Sequence, residues 1–310
     1  MASIAQVVQS RWSARAAGGN HLQRKLAQKA AFGLLWLSAA IVVVLLLWIT
    51  GYVLWNGARA INLEFLTTRP AGGVSGEGGM STTIVTTLYL VVLTICLATP
   101  LGVFGAVFLA EYAGEAQQIN PLVRRLIAVS RTGVEILAGV PSIIFGLFGF
   151  AVFVSLMKLK LSLLSAGLSG ACLVLPVIIR TTEEALMAVP GSYREASLGL
   201  GATKWQTISG VVIPAAMPGI ITGVILSVGR IVAETAIFWV TLGGSYRLPK
   251  NLLSAGRTMA LHVYSLATET RAFDKAMGTA AILILTIMLL NLAINIVSRR
   301  LAARSMGKLG

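Results

Sequence analysis

Residues 180–234 read RTTEEALMAVPGSYREASLGLGATKWQTISGVVIPAAMPGIITGVILSVGRIVAE, and this stretch decides how the rest of the chain is read. Its first part is polar and glycine-punctuated, lies between two apolar runs, and is too short for a domain and too patterned for a plain linker. Short helices lying on a membrane surface fit it. Pro190 suits a helix start, where a missing N–H costs nothing, Gly199 and Gly201 suit a left-handed helix stop, and Thr203 suits an N-cap. The second part predicts one helix over 208–242. At about 100° per residue, Gly219, Gly223, Ser227, Arg230 and Glu234 share an arc of about 80°. Small residues at every fourth position let helix backbones approach inside a membrane, whereas a charge at a helix centre costs about 2.5–3.5 kcal/mol on insertion scales. Arg230 and Glu234 must therefore face protein or water.

The surrounding chain has the composition of an integral membrane protein. Of 310 residues 56% are hydrophobic and 12% charged, with mean hydropathy +0.83, which excludes an ordinary soluble domain. An all-α fold of six spans is expected, at about 32–55, 82–109, 137–157, 161–179, 208–242 and 277–297. Residues 32–297 then form one membrane domain, with 181–207 as the loop between spans four and five. A net charge of +14 raises nucleic acid as a partner, but its placement argues against one. Residues 1–31 and 298–310 are basic tails without a single acid. Basic flanks beside spans mark the inner side, so both termini are expected in the cytoplasm, with some of these side chains against membrane lipid. Lys158 and Lys160 fall on the expected outer side and break that rule.

Cys96 and Cys172 lie in apolar runs far from any histidine and read as small hydrophobes. His262 reads as a surface or packing residue and His21 as a solvated one. The GGVSGEGG patch at 72–79 lacks the lysine and following helix of a nucleotide loop and reads as a flexible turn. Neither a Gly-Lys-Ser/Thr loop, a His-Glu-x-x-His pair nor a nucleophile elbow occurs. The chain is thus expected to be no enzyme and to hold no metal or other cofactor. In ILAGVPSIIFGLFGF at 136–150, Pro141 and Ser142 either expose free backbone donors to a polar path or bend a packed helix.

Glu195, Ala196, Gly201, Val211, Ile213 and Pro214 carry a resemblance to the Glu-Ala-Ala signature of membrane subunits of bacterial ABC importers, type I. Ser197 replaces the third position of that signature, and Val211 and Ile213 are mild departures. The resemblance implies that this loop is the cytoplasmic coupling helix that docks into a separate ATPase subunit, through Arg194, Glu195, Ala196, Ser197, Gly201, Ile213 and Pro214. The spacing makes physical sense for that role, since small residues allow close approach and Gly201 allows a sharp bend.

LVLPVIIRTTEEAL at 173–186, ILSVGRIVAETA at 225–236 and GRTMALHVYSLATE at 256–269 resemble, more narrowly, the PstA-type permeases of high-affinity phosphate ABC transporters. The sister PstC type is similar, and the AETAIFW phrase favours PstA. That resemblance implies a bacterial inner-membrane location and a heterodimer with a homologous PstC-type permease. It also implies two PstB-type ATPase subunits and an external PstS-type phosphate-binding protein. Arg230, Glu234 and Arg180 match residues associated there with phosphate passage. On physical grounds Arg230 offers five donors and a fixed charge suited to an oxyanion, and Glu234 one turn on can pair with it when the path is empty. Two readings stand for that pair, an opening gate or a permanent structural ion pair. Two stand for Arg180, a path residue or one that snorkels to headgroups. The alternatives for the whole chain are an ABC permease for another oxyanion or small solute, and an ion-coupled secondary transporter. The latter needs an internal inverted repeat, which is not visible.

Overall fold

The computed structural model describes residues 21–71, 77–113, 121–270 and 272–306, with side chains between 24 and 296. Most of the N-terminal tail, the first five residues of the Gly-rich patch (72–76) and the last four residues lie outside the described residues. The chain divides into two units after Val53. The first holds the leading part of α1 (His21–Ala60), a helix whose apolar side chains, Leu34, Trp36 and Trp48 among them, are exposed. Its most apolar 18-residue stretch within Arg24–Ala60 has a mean hydropathy of 2.7, ample for a membrane span.

The second unit begins within the last turns of α1 and continues through α2 (Leu63–Thr67) and α3 (Ser81–Val107), which runs into a π-helical turn at Phe108–Tyr112. Helix α4 (Pro121–Gly139) is followed by α5 (Ser142–Gly149), which widens into a second π segment at Phe150–Leu156. Then come α6 (Leu163–Met187), α7 (Gly191–Gly199), α8 (Lys204–Thr207) and a third π turn at Ile208–Val212. The chain ends through α9 (Ile213–Ala233), α10 (Ala236–Leu242), α11 (Met259–Thr268) and α12 (Phe273–Met306). The protein is mostly helical. Five helices among the described residues are long and apolar enough to cross a membrane, or six if α4 and α5 together form one bent span.

Two expected spans are broken. In place of a straight span at 137–157, α4 carries the chain to Gly139, and α5 leaves at 109° to it. The cause is local: Pro141 has no N–H and disfavours helical backbone at Val140, and it becomes the N-cap of α5 with ψ 138°. The expected helix over 208–242 stops at Ala233, because Glu234 is extended (φ −71°, ψ 134°) and α10 starts afresh two residues later.

Close packing of small residues holds the unit together. Helix α6 lies between α3 and α9: a Cβ at Gly102 would run into Ile178, one at Gly167 into Leu93, and one at Gly219 or Gly223 into Ala185 or Thr181. The core they enclose includes Leu90, Val174, Ile178, Ile231, Phe238 and Leu242. Two buried threonines on α3 satisfy themselves, Thr86 and Thr87 donating to the carbonyls of Thr82 and Thr83 at 2.7 Å, so the burial of these two carries no unpaired hydroxyl. The same face ties down the segment after α10, because Thr82 donates to the Tyr246 carbonyl at 3.0 Å and the Met259 N–H donates to Thr87 Oγ1 at 2.9 Å.

That segment encloses Arg257, which is 8% exposed, donates to the Gly244 carbonyl and Ser265 Oγ at 2.9 Å each, and stacks on the Tyr246 ring at 4.1 Å. His262 is buried beside it, outside the candidate spans. Burial, with Arg257 and Lys275 adding repulsion, pushes its pKa down to about 4. An unfolded histidine titrates near about 6.5, so between these values the unfolded chain binds more protons. Stability is full above about pH 6.5 and lost as pH falls toward 4, by on the order of 2–3 kcal/mol. Thermal melting of the purified protein should show this loss between about pH 7 and about pH 4.5, and His262→Gln should flatten the dependence.

Candidate functional site

Arg230 occupies the last turn of α9 and is half-buried. The stripe that leads to it behaves as small-residue packing requires: Gly219 and Gly223 lie on α6, and Ser227 is fully buried with its hydroxyl on the Gly223 carbonyl at 2.8 Å. Glu234 does not continue that stripe, since the helix has ended. Three ion pairs within 4 Å occur among the described residues, Arg131–Glu183, Arg180–Glu184 and Arg194–Glu111, and Arg230–Glu234 is not one of them. The Glu234 carboxylate instead faces the Ser142 hydroxyl and the Thr235 N–H, with Arg230 in electrostatic reach. The helix break therefore parts the expected pair and leaves the guanidinium without a carboxylate in contact.

Ser142 reaches Glu234 because the two broken spans meet. Helix α5 packs on α10 through Gly146, where a Cβ would come within 3.0 Å of the Ile237 Cα, and through Gly149, which abuts Ser169 and Thr241. The start of α5 and the break before α10 thus lie side by side, each with backbone donors that a continuous helix would have used. Thr235 was not apparent as a site residue in the sequence, and Ser142 stood there only with Pro141 as one of two readings, donors to a polar path or a bend; Pro141 marked the first break, whereas no proline or glycine marks the second.

Arg180 is elsewhere. It projects from α6 with an exposed side chain, and its Nε donates to Glu184 Oε1 at 3.2 Å. Antiparallel packing of α6 on α9 sets Thr181 against Gly223 and Gly170 against Ile231. Arg180 is accordingly level with Val224, and Arg230 lies six residues or about 9 Å farther along the axis. The two arginines stand at different levels.

The loop at 188–207 forms the other part of the site. Helix α7 starts after Pro190 and ends where Gly201 turns left-handed at φ +86°. Thr203 caps α8 in a reciprocal capping box with Gln206. Glu195 and Ala196 are exposed, as are Tyr193, Leu198 and Trp205, and Leu200 at the tip is 90% exposed. Ser197 turns inward, sharing a 2.9 Å hydrogen bond with the Thr207 hydroxyl. Arg194 also turns inward: its Nη2 donates to Glu111 Oε1 at 2.6 Å and to the Leu186 carbonyl at 2.8 Å, and Nη1 donates to the Val189 carbonyl at 2.8 Å. Ile213 and Pro214 open α9 directly after the π turn. Glu111 is a further residue the sequence left unmarked, 83 positions from its partner.

Residues 98–306 match the family model for the binding-protein-dependent transport system inner membrane component. The chain is similar to the probable ABC transporter permease protein YqgI of Bacillus subtilis, with 33% identity over 288 residues, 88% of this chain and 95% of that protein. It is similar to the phosphate transport system permease protein PstA 1 of Mycobacterium tuberculosis, with 33% identity over 278 residues and 88% of each chain covered. A solved bacterial ABC transporter involved in import of the acidic polysaccharide alginate is similar in fold, with TM-score 0.53 and 14% identity over 88% of this chain and 99% of that one.

The glycine contacts make a direct test. A Cβ at Gly223 would collide with Thr181, whereas one at Gly229 meets nothing within 4 Å. Gly223→Leu should cost about 1–3 kcal/mol by overpacking, read as a lower melting temperature in detergent, and Gly229→Ala should leave melting unchanged.

Proposed function

This chain belongs to the family of binding-protein-dependent transport system inner membrane components, and from that premise we propose that it is a permease subunit for inorganic phosphate import, forming half of the translocation path. Its fold is that of the type I ABC importer permeases, all-α and multi-pass. A permease of this class works with an ATPase and a substrate-binding protein; the partners proposed here are a homologous PstC-type permease, two PstB-type ATPases and a PstS-type external binding protein, in a bacterial inner membrane with both termini in the cytoplasm. The phosphate cargo is supported by the relatives named as phosphate permeases.

The observation that carries the mechanism is Arg230, a half-buried guanidinium in a membrane helix with no carboxylate in contact among the described residues. Such a group offers a fixed charge and forked donors to a tetrahedral oxyanion. Glu234, held toward Ser142 and Thr235, keeps a negative charge nearby. Attraction by Arg230 admits the anion, and repulsion by Glu234 keeps it from resting there, the balance that conduction requires. Arg180 is a later station on the same route, nearer the α7 loop, where it must first part from Glu184.

Energy enters at α7 and α8. Tyr193, Leu198, Leu200 and Trp205 are exposed apolar side chains of α7, α8 and the turn between them, and side chains added at Gly191 or Gly199 would meet nothing within 4 Å, so a partner can approach this helix closely. ATPase closure displaces α7 and flips the path from one side to the other.

Two experiments test the two ends of this reading. In cells lacking this chain and any redundant importer, uptake of labelled phosphate at low external concentration should return with the native chain and fall at least about tenfold with a normally assembled Arg230→Gln protein, the loss of one charged hydrogen-bonding group. Normal uptake by Arg230→Gln would sink the path assignment, and unchanged uptake on deletion would sink the phosphate cargo. Separately, Leu200→Asp should abolish co-purification with the ATPase while leaving membrane insertion intact.

A further inference from the structure

We propose that Arg194 is a positioning residue that joins α7 to the adjoining ends of α3 and α6 as one rigid body, so that a displacement of α7 reaches both helices together. This rests on the reading that α7 receives the ATPase.

Helix α7 has nine residues, well short of the about 12–15 that an isolated helix needs to persist in water. Its orientation must be imposed from outside, and Arg194 imposes it on three sides. Nε and Nη2 engage the Glu111 carboxylate, Nε at 3.2 and 3.3 Å from its two oxygens and Nη2 at 2.6 Å from Oε1. Nη2 and Nη1 also take the carbonyls of Leu186 and Val189, at the end of α6 where the helix leaves acceptors open. Glu111 belongs to the π turn that continues α3, and the extra residue of such a turn rotates the downstream side chains by about 100° relative to an unbroken helix. The side chains of Arg194 and Glu111 are 24% and 10% exposed, so water competes weakly for this pair.

The junction has a second support that does not pass through Arg194. Arg131 of α4 donates to the Leu109 carbonyl at 3.0 Å and pairs with Glu183 of α6 at 3.0 Å, and Gly102 is wedged on Ile178. Helices α3 and α6 therefore stay together without Arg194; its loss frees α7 alone. Ser192, Ala196 and Gly199, exposed on the side of α7 opposite the guanidinium, leave a docking face separate from this role. Lysine is a poor substitute, since a single ammonium cannot fork onto a carboxylate and reach two carbonyls in different directions.

The test uses the complete transporter, this chain with its permease, ATPase and binding-protein partners, reconstituted in lipid vesicles. Labelled inorganic phosphate uptake and ATP hydrolysis are read on the same vesicles, and ATPase docking by co-purification. Arg194→Met should dock its ATPase at the native level and still hydrolyse ATP, while phosphate moved per ATP falls about tenfold. Arg194→Lys and Glu111→Gln should show smaller losses of the same kind. The inference is overturned if phosphate per ATP is unchanged in Arg194→Met and Glu111→Gln, or if Arg194→Lys and Glu111→Gln insert normally yet lose the ATPase. Should Arg194→Met fail to insert, Glu111→Gln decides alone. The underlying coupling reading fails by a different result, an undiminished ATPase on Leu200→Asp.

Discussion

Helices α6 and α9 pack closely where Gly219 and Gly223 receive the side chains of Ala185 and Thr181, and most of the second unit depends on that contact. Inside a bilayer the lipid tails are as apolar as leucine, so burying apolar side chains gives helices little reason to associate; close packing and hydrogen bonding must do it. A side chain at either glycine would drive the helices apart and with them the loop that connects their ends. The antiparallel register fixed by this contact puts Ile231 beside Gly170 and Thr94, and so determines where α9 stops and where Arg230 faces.

Backbone that leaves the helical ladder is tolerated at membrane depth only where protein or a wet cavity surrounds it. Both breaks in this chain obey that rule by meeting each other. The turn at Val140 and Pro141 frees the first donors of α5, and the extended Glu234 frees those of α10; packing through Gly146 and Gly149 on Ile237 and Thr241 brings the two ends together. A carboxylate at this meeting point is half-buried and finds partners in the Ser142 hydroxyl and the Thr235 N–H, with Arg230 in electrostatic reach. One backbone event thus both shelters Glu234 and releases the guanidinium.

The sequence made the scaffold legible wherever the cause was local. Apolar runs announced the spans, Gly201 and Thr203 announced the turn and the cap, and the small-residue stripe announced a close helix contact without naming its partner. Pro141 stood in the sequence with its consequence undecided, since a proline in a membrane helix produces a bend or a break according to its packing neighbours. The break at Glu234 had no local cause to read: neighbouring residues favour a helix, and a wheel drawn through 208–242 placed Glu234 beside Arg230. What meets it there is α5, from a distant part of the chain. Glu111 was hidden for the same reason, because a lone acid at the end of an apolar run reveals a partner only once the chain has folded.

Helix α7 shows why an inward-facing residue belongs to a surface's function. Tyr193 and Leu198 of α7, with Leu200 and Trp205 beyond its end, are exposed, but nine residues cannot hold an orientation by helix propensity. Pro190 fixes the start, Arg194 and Ser197 grip from within, and Gly201 fixes the end. Residues 194 and 197 are three apart and so share one helix face, which leaves the opposite face free of structural duty. In the coupling role proposed for α7, a surface built this way would transmit force because its orientation is borrowed from α3 and α6. A helix held only by its own hydrogen bonds would yield at its ends before the spans moved.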